Sequence, residues 1–111
     1  MANDERGEIT VTLGGVKYTL RPTFEALAEM ESQSGIGVLP LARRFMTQDW
    51  GVRDLAAVLA PAITAGGGKI PDNLGQLIIA AGPLRVAATV ARFLSDALVG
   101  DAKNADAPAV H

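Results

Sequence analysis

No cysteine occurs among the 111 residues, and the one histidine is the last residue, His111. The first absence excludes disulfides, thiolate catalysis and cysteine-ligated zinc. The second leaves no imidazole that a folded site would hold in place as a general base. The nucleophile–base pairs of hydrolases therefore have no ready members. Aromatic residues make up only 5%, so the core must be built from Ala, Val, Leu and Ile. There is no positive excess either: 10 basic against 12 acidic side chains leave a net charge of −2. A general nucleic-acid binder is normally basic, and no nucleic-acid partner is expected. The longest nearly apolar run, residues 77–84, falls far short of the ~18–20 residues that cross a bilayer, so no membrane partner is expected. The opening, Met1-Ala2-Asn3-Asp4-Glu5-Arg6, is polar and shows no secretory signal, which places the chain in the cytoplasm as an expectation.

What is present is apolar surface without bulk: 49% hydrophobic residues and a mean hydropathy of +0.23. A chain of this length has room for one domain. Residues 1–100 are expected to form it. Residues 101–111, mostly Ala, Asp, Lys, Asn and Pro, bury too little to offset their ordering entropy and are expected to be a disordered tail.

Residues 8–13 alternate strictly, Glu8-Ile9-Thr10-Val11-Thr12-Leu13, and Val16-Lys17-Tyr18-Thr19-Leu20 follows the pair Gly14-Gly15. Two glycines can both take positive φ, as a two-residue primed turn requires. That turn sets Leu13 opposite Val16, Val11 opposite Tyr18 and Ile9 opposite Leu20, all on one face. The other face pairs Thr12 with Lys17, Thr10 with Thr19 and Glu8 with Arg21. One register satisfying both faces predicts an antiparallel hairpin. A lone hairpin is marginal, so helices must cover its apolar face. Its two edges are expected to be open, ready to extend a sheet in a homo-oligomer or to receive a partner strand.

Pro22 stops the second strand, and Thr23 is a plausible N-cap for a helix over Phe24–Ser34, with Glu25 in its first turn and Gly35 at its end. Phe24, Leu27 and Ala28 are expected to face the core, with Met30 beside them. After a short loop through Val38, Pro40 suits the first turn of a second helix carrying Leu41, Ala42, Phe45 and Met46. A third helix begins near Val52, with Val52, Leu55, Ala56, Leu59, Ala62 and Ile63 on one face and Val58 at its margin. Pro61 removes one ladder bond inside it, so a kink or a break is expected there. Gly66-Gly67-Gly68 reads as a flexible connector. A fourth helix follows Pro71-Asp72, with a stripe of Leu74, Leu77, Ile78 and Ala81. Gly82 closes it and Pro83 opens the last helix. In that last helix Arg85, Thr89, Arg92 and Asp96 form one narrow polar strip, and apolar residues cover the rest. The fold class is therefore α+β: an N-terminal two-stranded antiparallel hairpin followed by four or five helices packed against it.

Candidates for chemistry are few. Gly66-Gly67-Gly68-Lys69 suggests a phosphate loop, but Ile63 stands where its first glycine belongs and Ile70 where its hydroxyl belongs. Glu25 and Glu29 share a helix face, with Glu31 nearby and no histidine or carboxylate motif to join them; a solvated face is the simpler reading. Arg43, Arg44 and Arg53 read as plain surface, although they would also suit phosphate or an acidic partner. Ser32, Ser34 and Ser95 read as local hydrogen-bonding residues. No metal or cofactor site is expected. What stands out is apolar surplus. Phe45, Met46, Trp50, Ile79, Val86, Val90 and Phe93 exceed what so small a domain is expected to hide, and are the candidate partner-binding residues. Trp50, in a polar turn, either covers the core edge or anchors an interface.

The stretch Leu13-Gly14-Gly15-Val16-Lys17-Tyr18-Thr19-Leu20-Arg21-Pro22-Thr23-Phe24-Glu25-Ala26-Leu27 resembles the gene transfer agent family of small proteins encoded among phage-like tail genes of alphaproteobacteria. So does the opening Asn3-Asp4-Glu5-Arg6-Gly7-Glu8. Ser34-Gly35-Ile36-Gly37, Leu41-Ala42-Arg43, Asp54-Leu55-Ala56 and Ala81-Gly82 continue the similarity over residues 3–99. Tyr18, Leu20, Arg21, Pro22, Thr23, Phe24, Glu25 and Leu27 carry the signature. Read as residues, they are a strand end, a proline stop, a cap and a helix start, hence architecture. Pro61 is the one departure. Members of this family are regarded as tail assembly chaperones and are also labelled tail tube proteins.

The resemblance implies a non-enzymatic chaperone that binds apolar helical segments of the tape measure protein during tail assembly, with the tail tube protein as a further partner. The alternative is a structural tail tube or connector subunit of the same particle. Tube subunits usually bring longer strands to a continuous sheet than this one hairpin offers. A small enzyme or ligand-binding domain is the third reading, and the missing Cys, internal His and phosphate motif count against it.

Overall fold

The computed structural model describes residues 8–100. The expected tail at 101–111, His111, and the opening residues before Glu8 lie outside them. Among the described residues the chain forms β1 (Ile9–Leu13), β2 (Val16–Leu20), α1 (Phe24–Ser34), α2 (Val38–Met46), α3 (Val52–Ala65), α4 (Leu74–Ala81) and α5 (Pro83–Val99). This is the expected α+β architecture, a two-stranded antiparallel sheet followed by five helices.

The hairpin has the register that its two faces demand: Ile9 opposite Leu20, Thr10 opposite Thr19, Val11 opposite Tyr18, Thr12 opposite Lys17 and Leu13 opposite Val16. Gly14 and Gly15 both hold positive φ, 59° and 80°, as the primed turn requires. Glu8 and Arg21 continue the pairing as an ion pair across the open end. Leu13 and Leu20 are fully buried, while Val16, beside the turn, is exposed.

The helices close over that face. α3 packs against α1, β2, α4 and α5, and α5 against α2, α3, α4 and β1. The core is aliphatic, with Leu41, Leu55, Val58, Leu59, Ile63, Val90 and Leu94 around Met30 and Phe93. No polar or charged side chain is buried among the described residues. Fixing a dozen fully buried apolar side chains at ~1.5–3 kcal/mol each accounts for the main stabilising term.

Several local expectations change. α1 turns Ala26 and Met30 inward and leaves Leu27 half-buried; Ala28 is exposed and Phe24 is 80% exposed. The inward stripe therefore runs through Ala26 and Met30, which are four apart, rather than through Phe24 and Ala28. α2 starts at Val38, before Pro40, because the Glu31 carboxylate accepts from the Val38 N–H at 2.8 Å and satisfies an otherwise orphaned donor. α3 is not broken: it runs on through Pro61, whose ring is buried. The glycines at 66–68 form a packed corner instead of a loose tether. Gly66 N–H donates to the carbonyls of Ala62 and Ile63, and Gly68 N–H donates to Ile63.

One edge of the hairpin is also closed. A two-residue turn makes Leu13 and Val16 a bonded pair, so Thr10 and Thr12 on β1, and Lys17 and Thr19 on β2, point their backbone groups outward. The end of α3 lies against the β2 side. Arg21 N–H donates to the Ala62 carbonyl at 3.2 Å. A Cβ on Gly66 would stand 2.0 Å from the Thr19 carbonyl oxygen. The expectation of two open edges therefore holds only for β1.

Candidate functional site

Several polar and charged side chains serve the architecture. Thr23 caps α1, its Oγ1 accepting from the Ala26 N–H at 3.1 Å. Asp54 accepts from the Gly51 N–H at 2.8 Å at the start of α3. The same carboxylate faces Arg44 at 3.4 Å and ties α2 to α3. Arg92 and Asp96 form a loose i,i+4 pair at 3.8 Å on α5. Exposed pairs of this kind contribute ~0–1 kcal/mol each. Glu29 accepts from the Gln33 amide. No group of three or more His, Cys, Asp or Glu residues that would hold a metal occurs among the described residues.

Two grooves lined by described residues bear on function. One, of about 400 Å³, runs between α1 and α3; Glu25 and Glu29 stand on one side, Thr64 and Ile70 on the other, and Pro61 in its wall. It holds carboxylates and hydroxyls but no imidazole, amine or thiol to work with them. The second, of about 220 Å³, lies between the open β1 edge and α5, with Thr10, Thr12, Arg85 and Thr89 at its sides. Lys69 does not complete a phosphate loop. Gly66 is pressed on the Thr19 carbonyl, and the next helix starts only at Leu74. A phosphate cradle needs the helix N-terminus directly after the loop.

The seven apolar candidates separate. Phe45, Val86, Val90 and Phe93 are buried in the domain's own core and offer no surface to a partner in this fold. Met46 and Ile79 are exposed, at 60% and 58%. Trp50 is half-buried, and its ring stacks on Phe45 with centroids 6.0 Å apart, so it covers the core edge. The structure does not bring Met46 and Ile79 onto one element: the first ends α2, the second lies on α4.

The apolar face of α5 that carries Val86, Val90 and Phe93 is the inward one. Five buried residues, Val86, Ala87, Val90, Phe93 and Leu94, point to α2, α3 and β1; Leu84, Ala88 and Val99 lie in the open on the side turned away, and Leu98 is exposed near the helix end. The signal was present as Leu84 next to Pro83, one residue after a helix corner, where few neighbours reach it. Phe24 is the other exposed residue of note, and its place at the very start of α1 explains it: the preceding turn that would cover it is missing.

Among the described residues no single helix is long and apolar enough to cross a membrane. α4 and α5 together have the length and composition, but they are bent by 104°. Both also bury their apolar stripes in the domain core.

The features that the structure emphasises are thus a capped strand–helix junction, an aliphatic core and exposed apolar residues on a small rigid body. Such a body is suited to assembly. Residues 6–100 match the family described as phage tail tube protein, GTA-gp10. That span covers most of the chain, and the protein belongs to this family of gene transfer agent and phage-like tail proteins. No curated protein and no solved structure shows significant similarity to it.

Proposed function

We propose that the chain is a structural subunit of a phage-like tail, a tail tube or connector component, in a gene transfer agent or prophage of an alphaproteobacterium. The observation that carries this reading is the family match over residues 6–100. The reading contains no chemical step. It is supported by the exposed apolar residues Phe24, Met46, Ile79 and Leu84, which offer packing surface to neighbouring subunits. Subunits are made and assembled in the cytoplasm, and their partners are other tail proteins and further copies of the chain.

Quantitative mass spectrometry of purified particles tests it. A tube or connector subunit is present in many copies per particle; a particle that infects or transfers DNA without this chain ends the proposal.

A second reading, an assembly chaperone that binds apolar helical segments of the tape measure protein, is favoured by the hairpin itself. Two five-residue strands with the β2 edge covered by α3 are poor material for a continuous tube sheet. On this reading the exposed apolar residues Met46, Ile79, Leu84 and Phe24 are the ones available to the tape measure protein. Co-expression would raise the solubility of that larger protein and yield a co-purifying complex, and the chain would be missing from finished particles.

A further inference from the structure

The outward side of α5 has a composition of its own. At ~100° per residue, Leu84, Ala88, Ala91, Ser95 and Leu98 fall on one narrow stripe, spaced 4-3-4-3. The stripe is about 21 Å long at 1.5 Å per residue. Leu84 is 73% exposed, Ala88 and Leu98 are exposed, and Ala91 and Ser95 are half-buried. Large side chains stand at both ends and small ones in the middle, so the stripe reads nearly the same in either direction about Ala91. The charges beside it do not. Arg85, Thr89, Arg92 and Asp96 run along one flank only, basic at the N-terminal end and acidic at the C-terminal end. Arg85 has no ion pair among the described residues.

We propose that the free protein is a two-fold dimer in which α5 packs antiparallel on α5 of a second copy through this stripe. A two-fold axis at Ala91 sets each Leu84 against the other copy's Leu98 and lets the small central residues bring the helices close. It also carries the polar flanks to the same side of the interface. Arg85 then lies within one residue of the level of Asp96 in the second copy, twice over, while the two Arg92 side chains stand near the axis, each held by Asp96 of its own helix at 3.8 Å. A parallel two-fold pair would carry the polar flanks to opposite sides of the interface, where neither Arg85 nor Asp96 meets a charge on the other α5, so the Arg85–Asp96 contacts belong to the antiparallel arrangement. A second copy is thus matched in size along the stripe and in sign at the two outer Arg85–Asp96 contacts. The contact is isologous and closes on itself, so it describes the protein before it enters any larger assembly. It rests on neither reading of the tail function.

Sedimentation equilibrium on the full 111-residue chain should give twice the 11.5 kDa chain mass. Ala88→Glu puts carboxylates into the stripe at a position exposed in the monomer; circular dichroism should be unchanged and the dimer Kd should rise ~100-fold. Arg85→Glu and Asp96→Arg should each weaken the dimer ~5-fold, and the double variant should recover most of the loss. Because the chain has no cysteine, Ala91→Cys gives a single thiol on the axis that should oxidise to a covalent dimer, whereas Gln33→Cys on α1 should not. A chain that stays monomeric to about 100 µM overturns the proposal. So does a dimer indifferent to Ala88→Glu, or one that Gln33→Cys links as readily as Ala91→Cys.

Discussion

The chain turns twice on adjacent glycines, and for opposite reasons. At Gly14-Gly15 the requirement is angular: both residues hold positive φ, and beyond Gly15 there is open space. At Gly66 the φ is an ordinary −81°, and the requirement is distance, because the Thr19 carbonyl occupies the place of a side chain. A third turn, after α2, holds Gln48 at φ 59° with no glycine at all; Asp49 N–H closes it on the Arg44 carbonyl at 2.8 Å. Dihedral strain of this kind costs a non-glycine residue ~1–2 kcal/mol and is tolerated. A backbone atom in the way is not tolerated, because it has no rotamer to adopt.

That contrast ranks the substitutions. Gly66→Ala should cost the most, about 3 kcal/mol in urea denaturation, since α3 must lift off β2 and release the bond from Arg21 to Ala62. Gly14→Ala comes next at about 2 kcal/mol. Its new Cβ meets Leu77 Cδ2 at 2.8 Å, but a leucine end can swing aside. Gly15→Ala, with only the angle against it, should cost about 1 kcal/mol, and Gly15→Asn less. If Gly66→Ala proves no worse than Gly15→Ala, closeness is not what holds the corner. Thr23→Ala should lose about 1 kcal/mol with the cap and Thr23→Ser should restore it, a loss through hydrogen bonding with no glycine involved. Gln48→Gly should show the smallest change and the opposite sign, a gain of about 0.5 kcal/mol in a thermal melt, as strain relief slightly exceeds the added chain entropy.

Where local chemistry decides, the residues announce the structure. The hairpin register follows from alternation plus two glycines, and α1 runs from Phe24 to Ser34 between a threonine cap and Gly35 at φ 80°. Where neighbours decide, they do not. α5 is apolar over more than half its circumference, so the sequence permits either side to face inward, and α2, α3 and β1 choose Val86, Val90 and Phe93. The same holds for Phe45, whose burial depends on Trp50 folding back over it. Glu31 reaching across to Val38 joins two different helices, and Gly66 pressed on Thr19 joins residues that no local window contains together. Among the apolar candidates, exposure alone separates Met46 and Ile79 from the buried Phe45, Val86, Val90 and Phe93.

The end of α3 laid against β2 has a consequence for growth. A neighbouring strand finds a margin to bind only beside Thr10 and Thr12, so two such chains that meet there finish the sheet, and a third has nowhere to attach. A cylinder wall made from this subunit would accordingly be riveted by its helices, while its strands acted as end-pieces.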